Sequence, residues 1–473
     1  MPLTKASYSL INGAPVNVRD FGALGNGSND DTAAIQAAIN YCQDNLLPLY
    51  FPPNVVSQYY KTSAPLVVTK PITMFSDNQR STTILAVGLS AGQYVLDIDG
   101  TSFGTFQEAL IKGFTLFAGS GNCLRIKDVS MSVFEDIGVR NCVHGIVYTG
   151  TRCYHNVFNR VQPVTAVTGN TIRMTNHTGG GPHSFYDCTF GGSIGFILDQ
   201  NSLVDSINFY DCNFEQCTSQ GLYVAGTVVG LGFYGGRTEG GDTTDFLIRP
   251  ESGNIVSAIN VNGVSFFSSD SGGVPRISLG GSAGKVRGFN IVGNYVGHGA
   301  NNFSADFVQL NGDGESGTIA NNYLDGTLSL CKPVNVLRPG VAVYNNEANN
   351  GKFSPSFSLT QSTFTATATG MTTSPTGTVK YSIIGNTVTL DIPAISGTSN
   401  STAFTLTGAP AAIAPTADKD VLIGVTDNGT TQLGFVKIKT TGVLEFYANL
   451  GGGIFTGSGT KAVRAFSVTY TLA

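Results

Sequence analysis

The chain has no tryptophan among its 473 residues, so any surface that stacks against a flat apolar ligand must use Tyr or Phe. Charged residues make up only 12%, far below the share usual for a soluble domain. The net charge of −5 is spread without a basic stripe, which leaves out the electrostatic footprint of a nucleic-acid partner. Eight cysteines occur without paired spacing and without a Cys-x-x-Cys motif, as expected for free thiols in a chain folded in a reducing cytoplasm. No histidine or cysteine cluster has metal-ligand spacing, so neither a metal nor another cofactor is expected. The start, Met1-Pro2-Leu3-Thr4-Lys5, lacks the apolar core of a secretory signal, and no run of about 18 apolar residues follows. The expectation is a soluble protein with no membrane insertion. Helical periodicity is missing from the centre of the chain as well.

What the centre has is a repeat. One six-residue unit (apolar, variable, turn-former, small or apolar, variable, usually apolar) begins at Ile111, Phe134, Phe158, Phe185, Phe209, Phe233, Val261, Ile291, Ile319 and Val343. The third place holds Gly113, Asp136, Asp187, Asp211, Gly235, Gly263, Gly293, Asn321 and Asn345, with Arg160 the exception. Gly, Asn and Asp tolerate positive φ, so the third place is a sharp bend between two short strands. A second apolar strand follows most units, as in Cys123-Leu124-Arg125-Ile126 and Gly221-Leu222-Tyr223-Val224. Short strands recurring about every 24 residues exclude helical repeats and four-stranded propeller blades.

The class is therefore all-β: a right-handed single-stranded parallel β-helix with an N-terminal capping helix and a C-terminal β-sandwich. The expected bounds are 1–60 for the lead-in and cap, 61–350 for the β-helix, 351–376 for a linker and 377–473 for the sandwich. The fourth place should point inward and run Phe114, Ile137, Val161, Cys188, Cys212, Gly236, Val264, Asn294, Asn322, Asn346. Stacked ~4.8 Å apart, the three Asn should bond one another as a scaffold ladder, and Cys188 and Cys212 should be core thiols. The helix beginning near Asp30-Asp31 should plug the open end of the solenoid, with one of the two Asp as its N-cap.

Three stretches carry a family resemblance. Asp20-Phe21-Gly22-Ala23, Asp30-Asp31-Thr32-Ala33-Ala34-Ile35-Gln36-Ala37-Ala38-Ile39 and Tyr50-Phe51-Pro52-Pro53 resemble the opening of the pectate-lyase-superfamily β-helix of bacteriophage tailspikes. The family's usual Gly-Asp-Gly is Gly25-Asn26-Gly27 here. Near the other end, Ser396-Gly397-Thr398-Ser399-Asn400 and Gly459-Thr460-Lys461 are similar to C-terminal domains of phage tail fibres, which implies trimerisation or glycan binding. The resemblance implies a homotrimer on a virion tail, working with other tail proteins and binding a bacterial surface polysaccharide, often with its cleavage.

Glycan hydrolysis needs two carboxylates flanking the scissile bond. The seventh place of the repeat supplies Glu215 and Glu239 on consecutive coils, both expected to face outward, with Arg237 diagonal to Glu215. This pair is the candidate acid and nucleophile or base, and a surface salt-bridge row is the competing reading. Asp242 and Asp245 follow Glu239 and could add an acid, while Arg237 could hold an acidic sugar. Tyr186, Tyr210 and Tyr234 occupy the outward second place on three successive coils, as a sugar-stacking ladder or a subunit contact. Asp136, Asp187 and Asp211 fill bends and are assigned to the turn. The alternative chemistry is β-elimination, with Arg237 neutralising a uronate and a Tyr or one of His155, His177 and His183 as base. A non-catalytic receptor-binding tail protein is the third possibility.

Overall fold

The computed structural model describes residues 13–54, 58–104, 106–165, 167–239, 243–267, 274–281, 283–297, 306–312, 316–325, 333–334, 340–348, 351–352, 362–384 and 387–472. Met1–Pro355 and Ser356–Ala473 form two compact units.

The first unit is a parallel β-helix built by the repeat. Two long parallel sheets run its length, one made of the strands before the bend and the other of the strands after it. The first places of consecutive units pair directly: Ile111 with Phe134, Phe134 with Phe158, Phe158 with Phe185, Phe185 with Phe209 and Phe209 with Phe233. The same register continues through Val261, Ile291, Ile319 and Val343, so the 28-residue step from 233 to 261 costs no slip. Every third-place residue has positive φ, Arg160 included at 51°. Arg160 tolerates this because its guanidinium is clamped by Asp136 at 2.6 Å and Glu135 at 2.6 Å from the coil below.

Inside, the apolar columns stack like with like. The rings of Phe134, Phe158, Phe185, Phe209 and Phe233 lie 4.7–5.2 Å apart and nearly parallel. Asn294 donates from its amide to Asn322 Oδ1 at 2.9 Å, and Asn322 to Asn346 Oδ1 at 2.9 Å. Each amide also reaches the carbonyl of the first place one coil back: Val261, Ile291 or Ile319, all at 3.0 Å. The thiols of Cys188 and Cys212 point at the equivalent carbonyls of Phe158 and Phe185, at 3.6 and 3.4 Å. They are weak donors in the place where the later coils use amides. Cys188 and Cys212 are buried and unbridged.

The helix Thr32–Asn45 closes the N-terminal end, burying Ile35, Ala38, Ile39 and Cys42 on one face. Its two leading aspartates divide the work. Asp30 accepts from the Thr32 amide, whereas Asp31 turns back to accept from the amides of Leu24 and Gly25 and so pins the Gly-rich turn. Two coils precede the first recognised unit, since Leu49 pairs with Met74 and Met74 with Ile111.

The second unit is antiparallel. Ten strands follow one hydrogen-bonded path around a core that includes Val388, Leu406, Val436 and Phe446. The two layers of the expected sandwich are thus one continuous sheet. Its first strand, Ser362–Thr369, lies within the stretch read from sequence as linker.

Candidate functional site

The seventh-place column makes the site. It runs outward along the β-helix as Phe117, Arg140, Val164, Gly191, Glu215, Glu239 and Phe267. Glu215 and Glu239 pair in register on Asn213–Val224 and Arg237–Glu239. The Arg237 Nη2 atom touches Glu215 Oε1 at 2.8 Å and Glu239 Oε2 at 3.1 Å. Both carboxylates therefore lie within about 6 Å of each other, close to the ~5 Å of a retaining glycosidase pair. The side chains of Glu215, Arg237 and Glu239 are 27, 46 and 55% exposed, so this row sits in water, with Glu215 the most enclosed. The two carboxylates, Glu215 first, hold the Arg237 guanidinium above its ordinary value.

Glu215 also lines a cavity of about 480 Å³ with Pro163, Thr165, Thr189, Gly192, Gln216 and Thr218 among its walls. Two local features open it. A Cβ on Gly191 would come within 3.0 Å of the Glu215 carbonyl and 3.3 Å of Pro163, so the glycine keeps the floor between these coils low. Gln216 has φ of 53° at an irregularity in the pairing, which turns it out of the strand toward the cavity. A second cavity, also about 480 Å³, shares Pro163 and Val164 with the first and is lined by Gln79, Arg80, Thr83, Thr115, Arg140 and Gln162. The two adjoin at Pro163 and Val164, so the seventh-place column borders a trough in two parts. Glu215 is the only carboxylate among the residues lining either part.

Tyr186, Tyr210 and Tyr234 stack face to face, with ring centroids 4.8 and 5.2 Å apart. They stand on the strands before the bend, while the Glu row stands after it. Burial, with its two ring neighbours, raises the Tyr210 hydroxyl above its ordinary value. Asp242 lies outside the described residues.

Asp245 departs from the sequence expectation. It is buried, with its carboxylate 3.6 Å from Arg276 and turned toward Thr238 inside the coil, so it does not join the outer patch. The cause is Thr238, which interrupts the inward column Phe190, Phe214, Phe266 and leaves a polar hole that Asp245 and Arg276 fill. Burial raises the Asp245 carboxyl to about 7 against the pull of Arg276. His177 and His183 are likewise core residues. Their Nε2 atoms lie 3.2 Å apart, and His183 Nδ1 lies 3.3 Å from the buried Tyr148 hydroxyl. Burial lowers His177 to about 4 and lowers His183 as well, so neither is placed to act as a base on an outer substrate. His155 is exposed.

Residues 15–228 match the family model described as rhamnogalacturonase A/epimerase, pectate lyase-like. No curated protein matches the chain. Among solved structures, the Dettilon tailspike protein aligns over 97% of this chain and 94% of its own, with TM-score 0.58 and 12% identity. The protein ORF18 of Geobacillus virus E2 aligns over 97% of this chain and 77% of its own, with TM-score 0.51 and 15% identity. The surface adhesin PfbA of Streptococcus pneumoniae aligns over 71% and 89%, with TM-score 0.53 and 12% identity. At these identities the likeness is one of fold. Residues 15–228 thus match a pectate-lyase-like family model, within a parallel β-helix that has phage tailspikes among its structural neighbours.

Proposed function

We propose that this chain is a phage tail spike, active as a homotrimer, that binds a bacterial capsule or O-chain polysaccharide and cleaves it by endo-glycosidic hydrolysis. The observation that carries the reading is Glu215, the single carboxylate of an extended trough, with Glu239 in register beside it. A trough that runs across successive coils accommodates several residues of a linear glycan at once, as an endo-acting site requires.

In this scheme Glu215, held before substrate arrives by the contacts from Arg237 Nε at 3.3 Å and Nη2 at 2.8 Å, attacks the anomeric carbon once the guanidinium has moved aside. Glu239 gives its proton to the leaving oxygen, and then takes one from the water that releases the glycosyl-enzyme. The short separation of the two carboxylates favours this retaining course. Substrate entry displaces Arg237 from between them, which its exposed position allows. The tyrosine ladder offers three stacked rings as a platform for sugar faces.

A binding-only spike is the second reading, favoured by the same Arg237 contacts, which describe a satisfied salt-bridge row. Purified protein spotted on bacterial lawns separates the two: a halo marks depolymerisation, and particle adsorption without a halo marks binding. Products with new reducing ends support hydrolysis. Products absorbing as unsaturated uronates would replace it with β-elimination. Light scattering on the purified protein tests the trimer.

A further inference from the structure

The second half of the trough is built for negative charge. Arg140 takes the seventh place two coils before Gly191, and its guanidinium lies over the Phe117 ring at 5.1 Å from the centroid. The ring fixes the plane of the guanidinium without neutralising it. Arg140 Nε is buried with no hydrogen-bond partner among the described residues, and neither Arg140 nor Arg80 forms an ion pair there. Gln79 Oε1 is also buried and has no hydrogen-bond partner among the described residues. No acidic side chain is among the described residues that line this cavity. Arg125, Arg160, Arg237 and Arg276, by contrast, each contact at least one carboxylate. Arg140 and Arg80 thus bring two guanidiniums, and no carboxylate among the described residues, to the lining of one roomy cavity.

We propose that this cavity, with Arg140 and Arg80 at its walls, is a subsite for a carboxylate-bearing sugar of the polysaccharide. The inference rests on the reading of the trough as a glycan site, and it names the substrate class: an acidic polymer. Arg140 offers a planar fork suited to a carboxylate, and Arg80, which also lines the cavity, adds a second positive charge. Gln79, Thr115 and Gln162 supply the neutral donors and acceptors that a sugar's hydroxyls need. Arg237, by contrast, is engaged with Glu215 and Glu239, so acidic-sugar recognition falls to Arg140 rather than to Arg237. Arg140 and Glu215 are three strand spacings apart, or about 14 Å. The acidic residue is therefore held at a fixed remove from the bond that is cut, which sets the length and end groups of the product.

The test uses the full-length protein and the polysaccharide of a strain whose lawn it adsorbs to, in native form and after chemical reduction of its carboxyls to alcohols. Binding of both polymers is measured by calorimetry, and new reducing ends are measured in the same samples. Wild type is expected to bind the native polymer about ten- to hundred-fold more tightly than the reduced one. Arg140→Gln and Arg80→Gln should each shrink that ratio, and the double variant should abolish it. Arg140→Lys, which keeps the charge and the packing stem, should retain part of it and controls for loss of fold. Glu215→Gln should keep the full ratio. Equal binding of the two polymers by wild type, or an undiminished ratio in the folded double variant, overturns the subsite while leaving hydrolysis standing. Discrimination without cleavage supports the subsite and overturns hydrolysis. Binding of neither polymer overturns both.

Discussion

Replacing Asn322 by Asp changes one NH2 group for one oxygen at the centre of the asparagine ladder. The wild-type amide donates to the Ile291 carbonyl at 3.0 Å and to Asn346 Oδ1 at 2.9 Å, and its oxygen accepts from the Asn294 backbone and amide. A carboxylate keeps the accepted bonds and loses both donated ones, at about 1 kcal/mol each. It also faces two acceptors with a buried negative charge. Protonation limits that penalty: a carboxyl pushed ~3 units above its usual value of about 3.9 costs about 4 kcal/mol at neutral pH. The expected loss is about 4–6 kcal/mol at pH 7.5. Because the folded-state value is raised, the charge penalty is absent below the unfolded value and grows as pH rises through the folded one. At pH 4.5 the protonated acid donates one bond again, and about 1–2 kcal/mol of loss remains. Guanidinium unfolding followed by circular dichroism at both pH values measures this, with exposed Asn290→Asp on a neighbouring strand as control. An Asn322→Asp variant within 1 kcal/mol of wild type at pH 7.5, or one whose deficit ignores pH, would refute the ladder as a stabilising element.

Three further outcomes are expected. Glu215→Gln should lower depolymerase activity about 10²–10⁴-fold while leaving fold and trimer intact; full activity would remove Glu215 from the mechanism. The depressed His177 value gives the opposite pH sign to the Asp variant: its stabilisation is complete above about 6.5 and is lost as pH falls toward about 4, by about 3 kcal/mol. Asp245, raised to about 7, runs against it in part of the same range, so the readout is the difference in unfolding between wild type and His177→Gln at pH 7.5 and 5. No pH dependence in that difference would mean that His177 is protonated at little cost. Gly191→Leu should narrow the trough and weaken polysaccharide binding at least ten-fold, with far-UV circular dichroism unchanged; undiminished binding would place the glycan elsewhere.

Much of this was legible from residue type alone, because a β-helix translates a column in sequence into a column in space. The bend at the third place, the inward Asn and Cys, and the contact between Glu215 and Glu239 all follow from counting. The two coils through Leu49 and Met74 escaped that count because their third places are Phe51 and Ser76, which are not turn-formers. Asp245 escaped because its direction depends on Thr238, a single polar break in a phenylalanine column one strand away. The trough itself depends on the irregular pairing at Gln216 and on the segment Pro163–Thr165, neither of which a repeat encodes. Arg140 was within reach, since extending the Glu215 column backward by three units arrives at it.

The alternation of inward and outward places has an evolutionary consequence. Inward side chains hold the coils together, while the fifth and seventh places face the medium and carry little of that load. A substitution in the outward column alters one rung of the surface and leaves its neighbours' geometry as it was. Surface chemistry can therefore drift by single codon changes at intervals of about two dozen residues, with each intermediate still able to fold. The scaffold works as a fixed rack on which the chemistry of the surface is exchanged rung by rung.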